Sequence, residues 1–408
     1  MDNNIRNNRI KVDNIPILEI IIVLMYVLSA YKIGPLNLAT LILLIYSGVF
    51  IIRRRRVTMY VPVLLLFSYM LVHDIVKSFI ANVNIFNWTE KIIFFVFFAT
   101  IIGNINKEKL YKIWKVVGII AMLGLFVQAV QVYLLGQSVG MIKILPFASD
   151  EAMNTTVEYM RPHSFFLEPA AYATWILPLL IMALQKKKTV FAIFITLSIL
   201  LSSSVSGILA AGIIWIYYSA VGFSLYETRR NALIMISLLI VGGMAFLSLN
   251  VFSTSLDKLS NTTTDDKSTS SRTTLGLELY RDIGPVEKLV GIPFENVEEY
   301  MKSGAIDIKK YNMTYKLSYL GFVNSIGLSL NMYGFIGTLL YIAMFYKFYR
   351  ATSKGKRAYI IICFISLFSQ SAFWNSLFLL QVSFMIANSD VKEDLLIIGR
   401  REVIESDN

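Results

Sequence analysis

Thr189-Val-Phe-Ala-Ile-Phe-Ile-Thr-Leu-Ser-Ile-Leu-Leu201 runs through Ser202-Ser-Ser-Val-Ser-Gly207 to Tyr226, 38 residues without a single charge. A helix needs about 20 mostly apolar residues to cross the hydrocarbon core of a bilayer. The stretch is too long for one crossing and breaks naturally at its serine-glycine turn, which makes it a hairpin of two. Ala358–Ser389, another 32 uncharged residues, divides in the same way near Ser371-Ala-Phe-Trp-Asn375, into halves of only about 16 residues each.

Working outward, eight more runs read as single spans: Ile15–Tyr31, Ile33–Ile52, Val57–Val72, Ile92–Ile105, Val116–Leu135, Pro169–Leu184, Ala232–Asn250 and Leu328–Tyr346. The expected fold is therefore all-α, a polytopic membrane protein with about twelve transmembrane helices. Residues 1–408 form one integral membrane domain. Composition agrees, with 56% hydrophobic residues, 16% charged and a mean hydropathy of +0.62. The sole cysteine, Cys363, falls inside a span, so there is no disulfide framework and no thiol ligand set. Met1 to Asn14 is polar and lacks a small-residue cleavage site after it, so the first span reads as a retained signal-anchor.

Lysine and arginine in short loops mark the cytoplasmic side. Most of the 38 basic residues fall on one side of the twelve-span arrangement. They are Arg6, Arg9 and Lys11, Arg53 to Arg56, Lys107 to Lys115, Lys186 to Lys188, Arg229 and Arg230, Lys347 to Arg357, and Lys392, Arg400 and Arg401. The short loops of the other side hold only Lys32, Lys77, Lys91, Lys143 and Arg161. Both termini are thus expected in the cytoplasm. The net charge of +11 expresses this bias and attraction to anionic lipid. The basic clusters are short, lack aromatic interleaving and abut spans, so nucleic acid is not an expected partner.

The same count assigns four polar features to the external face: the His73-Asp74-Ile-Val-Lys77 end of span three, the connection Gly136–Phe165, the Ser202–Ser206 turn, and a large extracytoplasmic loop between spans nine and ten, residues 251–318. Loops beyond about 15 residues are functional or disordered. Here Ser253–Ser271 reads as mobile, whereas Leu275–Asp282 and Val297–Met301 have helical patterning between Gly284-Pro285 and Gly291-Ile-Pro293 turns. With ten acids and nine bases, the loop is no simple cationic funnel.

Arg161-Pro-His-Ser-Phe-Phe-Leu-Glu168-Pro169 concentrates a permanent cation, one of the two histidines and a carboxylate at the mouth of a span. Ionisable groups at a membrane edge are costly and mark functional sites. Pro169 suits the first position of a helix. Glu168 then has two readings: a capping carboxylate beside the positive end of the helix dipole, with Arg161 as a partner, or a general base whose pKa desolvation would raise. His163 is either a substrate contact or proton carrier, or a locally bonded imidazole. Arg161 is the firmest candidate for phosphate or sugar. Arg272 and Arg281 in the loop carry the guanidinium fork that matches phosphate oxygens; the bland alternative pairs Arg281 with Asp282 or Glu278.

Elsewhere the structural readings come first. Asp74 and Lys77 face each other as an ion pair one helical turn apart, Glu19 snorkels to the cytoplasmic interface, and Gln128, Gln131, Asn375 and Gln381 hydrogen-bond between helices. No metal-ligand spacing, glycine-rich phosphate loop or nucleophile elbow occurs, so no cofactor or metal is expected.

Taken in order, these patches resemble the repeat-unit polymerases of bacterial O-antigen and capsular polysaccharide assembly, which share a superfamily with the O-antigen ligases. Arg161…Glu168-Pro169 resembles the family's Arg…Glu-Pro start of a central span. Ser202-Ser-Ser-Val-Ser-Gly207 is similar to its serine-glycine turn, and Ser271-Arg272 with Leu289-Val-Gly291 to its Ser-Arg…Leu-x-Gly loop. The stretch from Asn324 to Gly337 resembles its span after the large loop. Where the ligase branch carries a His-Asn pair, this chain has Val323-Asn324, which argues against a ligase.

The resemblance implies a metal-independent glycosyltransferase of the bacterial cytoplasmic (inner) membrane. It would act on undecaprenyl-pyrophosphate-linked oligosaccharide beside a flippase and a chain-length-regulating co-polymerase. In that role Glu168, with His163 in reserve, would activate the acceptor hydroxyl, while Arg161, Arg272, Arg281 and Asn324 would bind substrate and pyrophosphate. The rival readings are a lipid-linked oligosaccharide flippase or other transporter, expected to carry ionisable residues within its spans, and a scaffold protein of the envelope, for which Arg161→Ala would be silent.

Overall fold

The computed structural model describes residues 16–33, 36–54, 56–81, 85–101, 104–146, 161–221, 234, 237, 274–294, 297–306, 323–368, 370–389 and 395–399. Helices dominate them: α1 Ile17–Leu28, α2 Leu38–Arg54, α3 Val61–Ala81, α4 Ile85–Ile101, α5 Lys107–Tyr133, α6 Pro169–Gln185, α7 Thr189–Leu201 and α8 Val205–Val221. After them come the short α9 Gly276–Asp282, α10 Pro285–Val290 and α11 Val297–Lys302, then α12 Ser325–Ala351, α13 Ala358–Ser366 and α14 Ser376–Asn388. Three described helices are long and apolar enough to cross a membrane, Val61–Ile80, Lys107–Tyr133 and Ser325–Ala351, and six more are apolar but shorter.

Both long apolar runs divide as their polar turns suggest, into α7 and α8 and into α13 and α14. The ends follow local chemistry. Asn106 accepts from Glu108 N–H at 3.0 Å and Lys109 N–H at 3.1 Å to cap α5. Asn375 does the same for α14 through Leu377 and Phe378 N–H, both at 3.1 Å. The expected span 232–250 lies outside the described residues apart from 234 and 237, as does 253–271 with Arg272.

Helix α6 is the centre of the bundle: Ala171 to Leu184 are all buried. A helix apolar on every side belongs inside. Trp175 packs on Trp114 with ring centroids 5.8 Å apart and donates its indole N–H to Val23 O at 2.8 Å.

Three expectations are corrected. Glu19 does not snorkel; it is 4% exposed and accepts Asn106 N–H at 2.8 Å, pinning α1 to the start of α5. Helix α3 continues to Ala81, so His73, Asp74 and Lys77 lie in its body rather than at its end. The all-α picture gains short antiparallel ladders: Lys32–Ile33 (β1) with Leu36–Asn37 (β2), and Arg56–Tyr60 (β3) with Leu395–Gly399 (β4). The second ties the C-terminal region to the turn after α2. The Lys186–Glu108 ion pair and the Tyr217 hydroxyl bond to Lys354 O each join two of the basic connections.

Candidate functional site

The stretch 161–168 is a strap pinned across the opposite end of the bundle. One side chain of α5 holds it. Gln128 Oε1 accepts the N–H groups of His163 at 2.9 Å and Ser164 at 2.6 Å, and its amide nitrogen donates to Gly140 O at 2.8 Å. Ser164 adopts a left-handed conformation (φ 56°), and its carbonyl accepts Ile142 N–H at 2.9 Å. The strap's apolar middle anchors it: Phe165 and Phe166 are buried, with Phe166 5.2 Å from the Trp175 ring. Burying two such rings contributes roughly 1.5–3 kcal/mol each, enough to hold the flanking polar residues at this edge.

Arg161 is half-buried and within electrostatic reach of the Tyr133 hydroxyl at the end of α5. That hydroxyl donates to Leu201 O at 2.6 Å and lies 2.9 Å from Ser203 Oγ. The fold thus brings together two motifs that the sequence holds apart, the strap arginine and the serine turn between α7 and α8. His163 is 1% exposed. Burial, reinforced by the Arg161 charge, pushes its pKa down, although a bond to Arg161 O opposes the shift. Its Nδ1 stands 3.0 Å from that carbonyl oxygen. A carbonyl only accepts, so the neutral ring carries its proton on Nδ1.

Glu168 is the N-cap residue of α6 in extended conformation (φ −151°, ψ 158°), and Pro169 opens the helix. Its carbonyl accepts Tyr172 N–H at 3.2 Å, but its carboxylate makes no capping hydrogen bond. The capping reading thus loses its bond, while the helix dipole still favours an anion there. The carboxylate is half-buried and within electrostatic reach of Tyr26 on α1.

The other expected site residues are placed differently. Arg281 on α9 has a side chain 70% exposed and bonds its neighbour Asp282 at 3.4 Å, the local pairing foreseen for it. Asn324 caps α12, accepting Gly327 N–H at 2.7 Å, and donates to Phe368 O at 3.2 Å, so its amide serves the backbone. Arg272 lies outside the described residues. Among the described residues no group of three His, Cys, Asp or Glu side chains could hold a metal ion.

A second polar cluster sits inside the bundle. Asp74 receives Lys91 of α4 in a close ion pair, Tyr333 O–H at 3.1 Å, and Lys77 at 3.9 Å. Lys77 is 2% exposed and donates to Met332 O at 3.0 Å. The pairing of Asp74 with Lys77 was legible as a one-turn spacing. Lys91 was not, because it comes from another helix. The cluster borders a break in α12, where Gly334 leaves helical geometry (φ 65°, ψ −168°). There Tyr69 O–H bridges Tyr333 O at 3.0 Å and Val290 O at 3.1 Å. A cation at the end of the first half-helix offsets its negative dipole end.

No protein-family model matches the chain, and no curated protein matches it.

Proposed function

We propose that this protein is a membrane glycosyltransferase that polymerises undecaprenyl-pyrophosphate-linked repeat units into O-antigen or capsular polysaccharide. Its setting in this reading is the external face of the bacterial cytoplasmic membrane, with twelve spans, both termini inside and the 251–318 loop outside. The observation that carries it is the strap. Arg161, Tyr133 and the serine turn gather on one side of it, and Glu168 stands at the positive end of α6 on the other, its carboxylate making no capping hydrogen bond.

Chemically, an acceptor hydroxyl oxygen of the incoming repeat bonds to the anomeric carbon of the growing chain. The bond from that carbon to the lipid pyrophosphate breaks with its electron pair, and the hydroxyl proton passes to Glu168. Arg161, joined by Arg272 of the loop, offsets the charge of the departing pyrophosphate, while Arg281 keeps its local pairing with Asp282. His163, neutral and buried, holds the strap's shape rather than serving as the base. A flippase supplies the substrate and a co-polymerase sets chain length.

The test incubates purified protein with lipid-linked repeat units. A glycan ladder is expected for the native chain and its loss for Arg161→Ala and Glu168→Gln, with folding checked by thermal melting. An unchanged ladder in both variants would remove the strap from the mechanism.

One observation favours a second reading, a transporter of lipid-linked oligosaccharide. Asp74, Lys77 and Lys91 lie within the bodies of α3 and α4 beside a broken helix, and buried ionisable groups next to discontinuous helices mark transport sites. In vesicles this reading expects lipid-linked substrate to change leaflet without growing, and Asp74→Asn to stop the movement.

A further inference from the structure

We propose that α10, Pro285–Val290, is a re-entrant helix that packs at the depth of the lipid acyl chains, with Val286 and Leu289 against them. Sequence pattern assigns this stretch to a water-exposed loop, but its surface is inverted for water. Val286 is 69% exposed and Leu289 52%, whereas Glu287 and Lys288 between them are only half-exposed. Glu287 folds its carboxylate back against Gly284 at the start of its own helix.

Two rulers give the depth. The β3–β4 ladder presents open sheet edges, which do not occur within hydrocarbon, so the core begins no earlier than Val61. The 21 residues of α3, about 31 Å at 1.5 Å per residue, only just span a core about 30 Å thick, so it begins close to Val61. Tyr69, whose hydroxyl meets Val290 O, stands eight residues further along, about 12 Å at 1.5 Å per residue. Along α12, Gly334 touches Leu289 and Gly291 thirteen residues before Lys347, about 20 Å by the same rise. Both fall inside a core about 30 Å thick.

The backbone around α10 fits that depth as well. Hydrocarbon leaves no solvent partner for peptide groups, so each must be paired within the protein. Ile283 N–H donates to Leu279 O at 3.1 Å, Gly291 N–H to Glu287 O at 2.7 Å, and Ile292 N–H to Asn331 O at 2.9 Å. Tyr280 O–H covers Lys288 O at 2.8 Å and Tyr69 O–H covers Val290 O. The apolar face also continues onto a spanning helix. Val72 is 61% exposed and Val76 49%, three and seven residues beyond Tyr69 and so on its side of α3. The inference rests on membrane embedding and not on the chemistry proposed for the strap.

The experiment places a nitroxide on single cysteines in a Cys363→Ala background reconstituted in phospholipid vesicles. Oxygen and a water-soluble nickel chelate then compete to relax the label. Val286→Cys and Leu289→Cys are expected to favour oxygen, as Val72→Cys does, while Lys302→Cys on α11 favours nickel. Nickel preference at 286 and 289 with oxygen preference at 72 overturns the re-entrant helix alone. Nickel preference at all four overturns membrane embedding and this inference with it. Oxygen preference at 286 and 289 that vanishes when the protein is concentrated would assign the face to a second copy and overturn the proposal.

Discussion

Gln128 uses both ends of its amide to hold the strap, accepting from two consecutive backbone N–H groups and donating to the chain at Gly140. Replacing it with leucine leaves those donors buried without an acceptor, at roughly 1–3 kcal/mol for each group stranded. Gln128→Leu is therefore expected to lower the thermal midpoint in detergent and to reduce activity together with it. An unchanged midpoint would show that the two phenylalanines hold the strap alone. His163 gives a pH signature. Burial lowers its folded pKa below the unfolded value, so the unfolded chain binds the proton more readily. Its contribution to stability is complete above about pH 6.5, the ordinary histidine value, and is lost as the pH falls below that. Melts at pH 7.5 and 5.0 should show a smaller difference for His163→Gln than for the native protein.

At the scale of the element, α12 is held in two halves by a contact between backbones. Gly334 occupies a region of φ and ψ that is essentially glycine's alone, and a Cβ there would collide with Leu289 O and Gly291 N. Gly291, itself at φ 99°, would meet Met332 O in the same way. Gly334→Ala should therefore displace α10 and unfold the protein at a lower temperature. Gly48→Ala, where nothing among the described residues stands within 4 Å of the new methyl in α2, should be neutral or stabilising by about 0.5–1 kcal/mol. Size-exclusion profiles and melting points of the two variants give the comparison. Equal behaviour would mean that the break in α12 is not obligatory.

For the whole molecule, connections rich in lysine and arginine gather at one end, and the strap and the serine turn gather at the other. The ladder between β3 and β4 closes the basic end by joining residues more than 300 positions apart. Truncation after Ser389 removes β4 and should lower the melting temperature while leaving helix content by circular dichroism nearly unchanged. A large loss of helix would show that the tail organises the bundle rather than closing it. Reporter fusions at Gln137 and Lys187 test sidedness: an external reading at the first and a cytoplasmic reading at the second are expected, and the reverse pair would invert the proposed orientation.

The mostly helical character of the chain, the division of its two long apolar runs and the start of α6 at Pro169 are written locally, whereas α3 runs on to Ala81 and α5 begins back at Lys107, outside the purely apolar runs. Apolar length, serine-rich turns, Pro169 and the capping asparagines act over a few residues and need no partner from elsewhere. Arg161, His163 and Glu168 could likewise be picked out in sequence, because charges at the edge of an apolar run are conspicuous. Their surroundings could not. Tyr133 comes within electrostatic reach of Arg161, and Ser203 within 2.9 Å of Tyr133, only because α5, α7 and the strap converge, and Gln128 reads as ordinary interhelical glue until the strap lies across it. Lys91 joins Asp74 from another helix, Tyr69 bridges two carbonyls from distant segments, and β4 finds β3 across the whole chain. Local pattern specifies elements because backbone hydrogen bonding and apolar length are short-range. Which side chains meet at the ends of those elements is decided by packing, and only the tertiary structure records it.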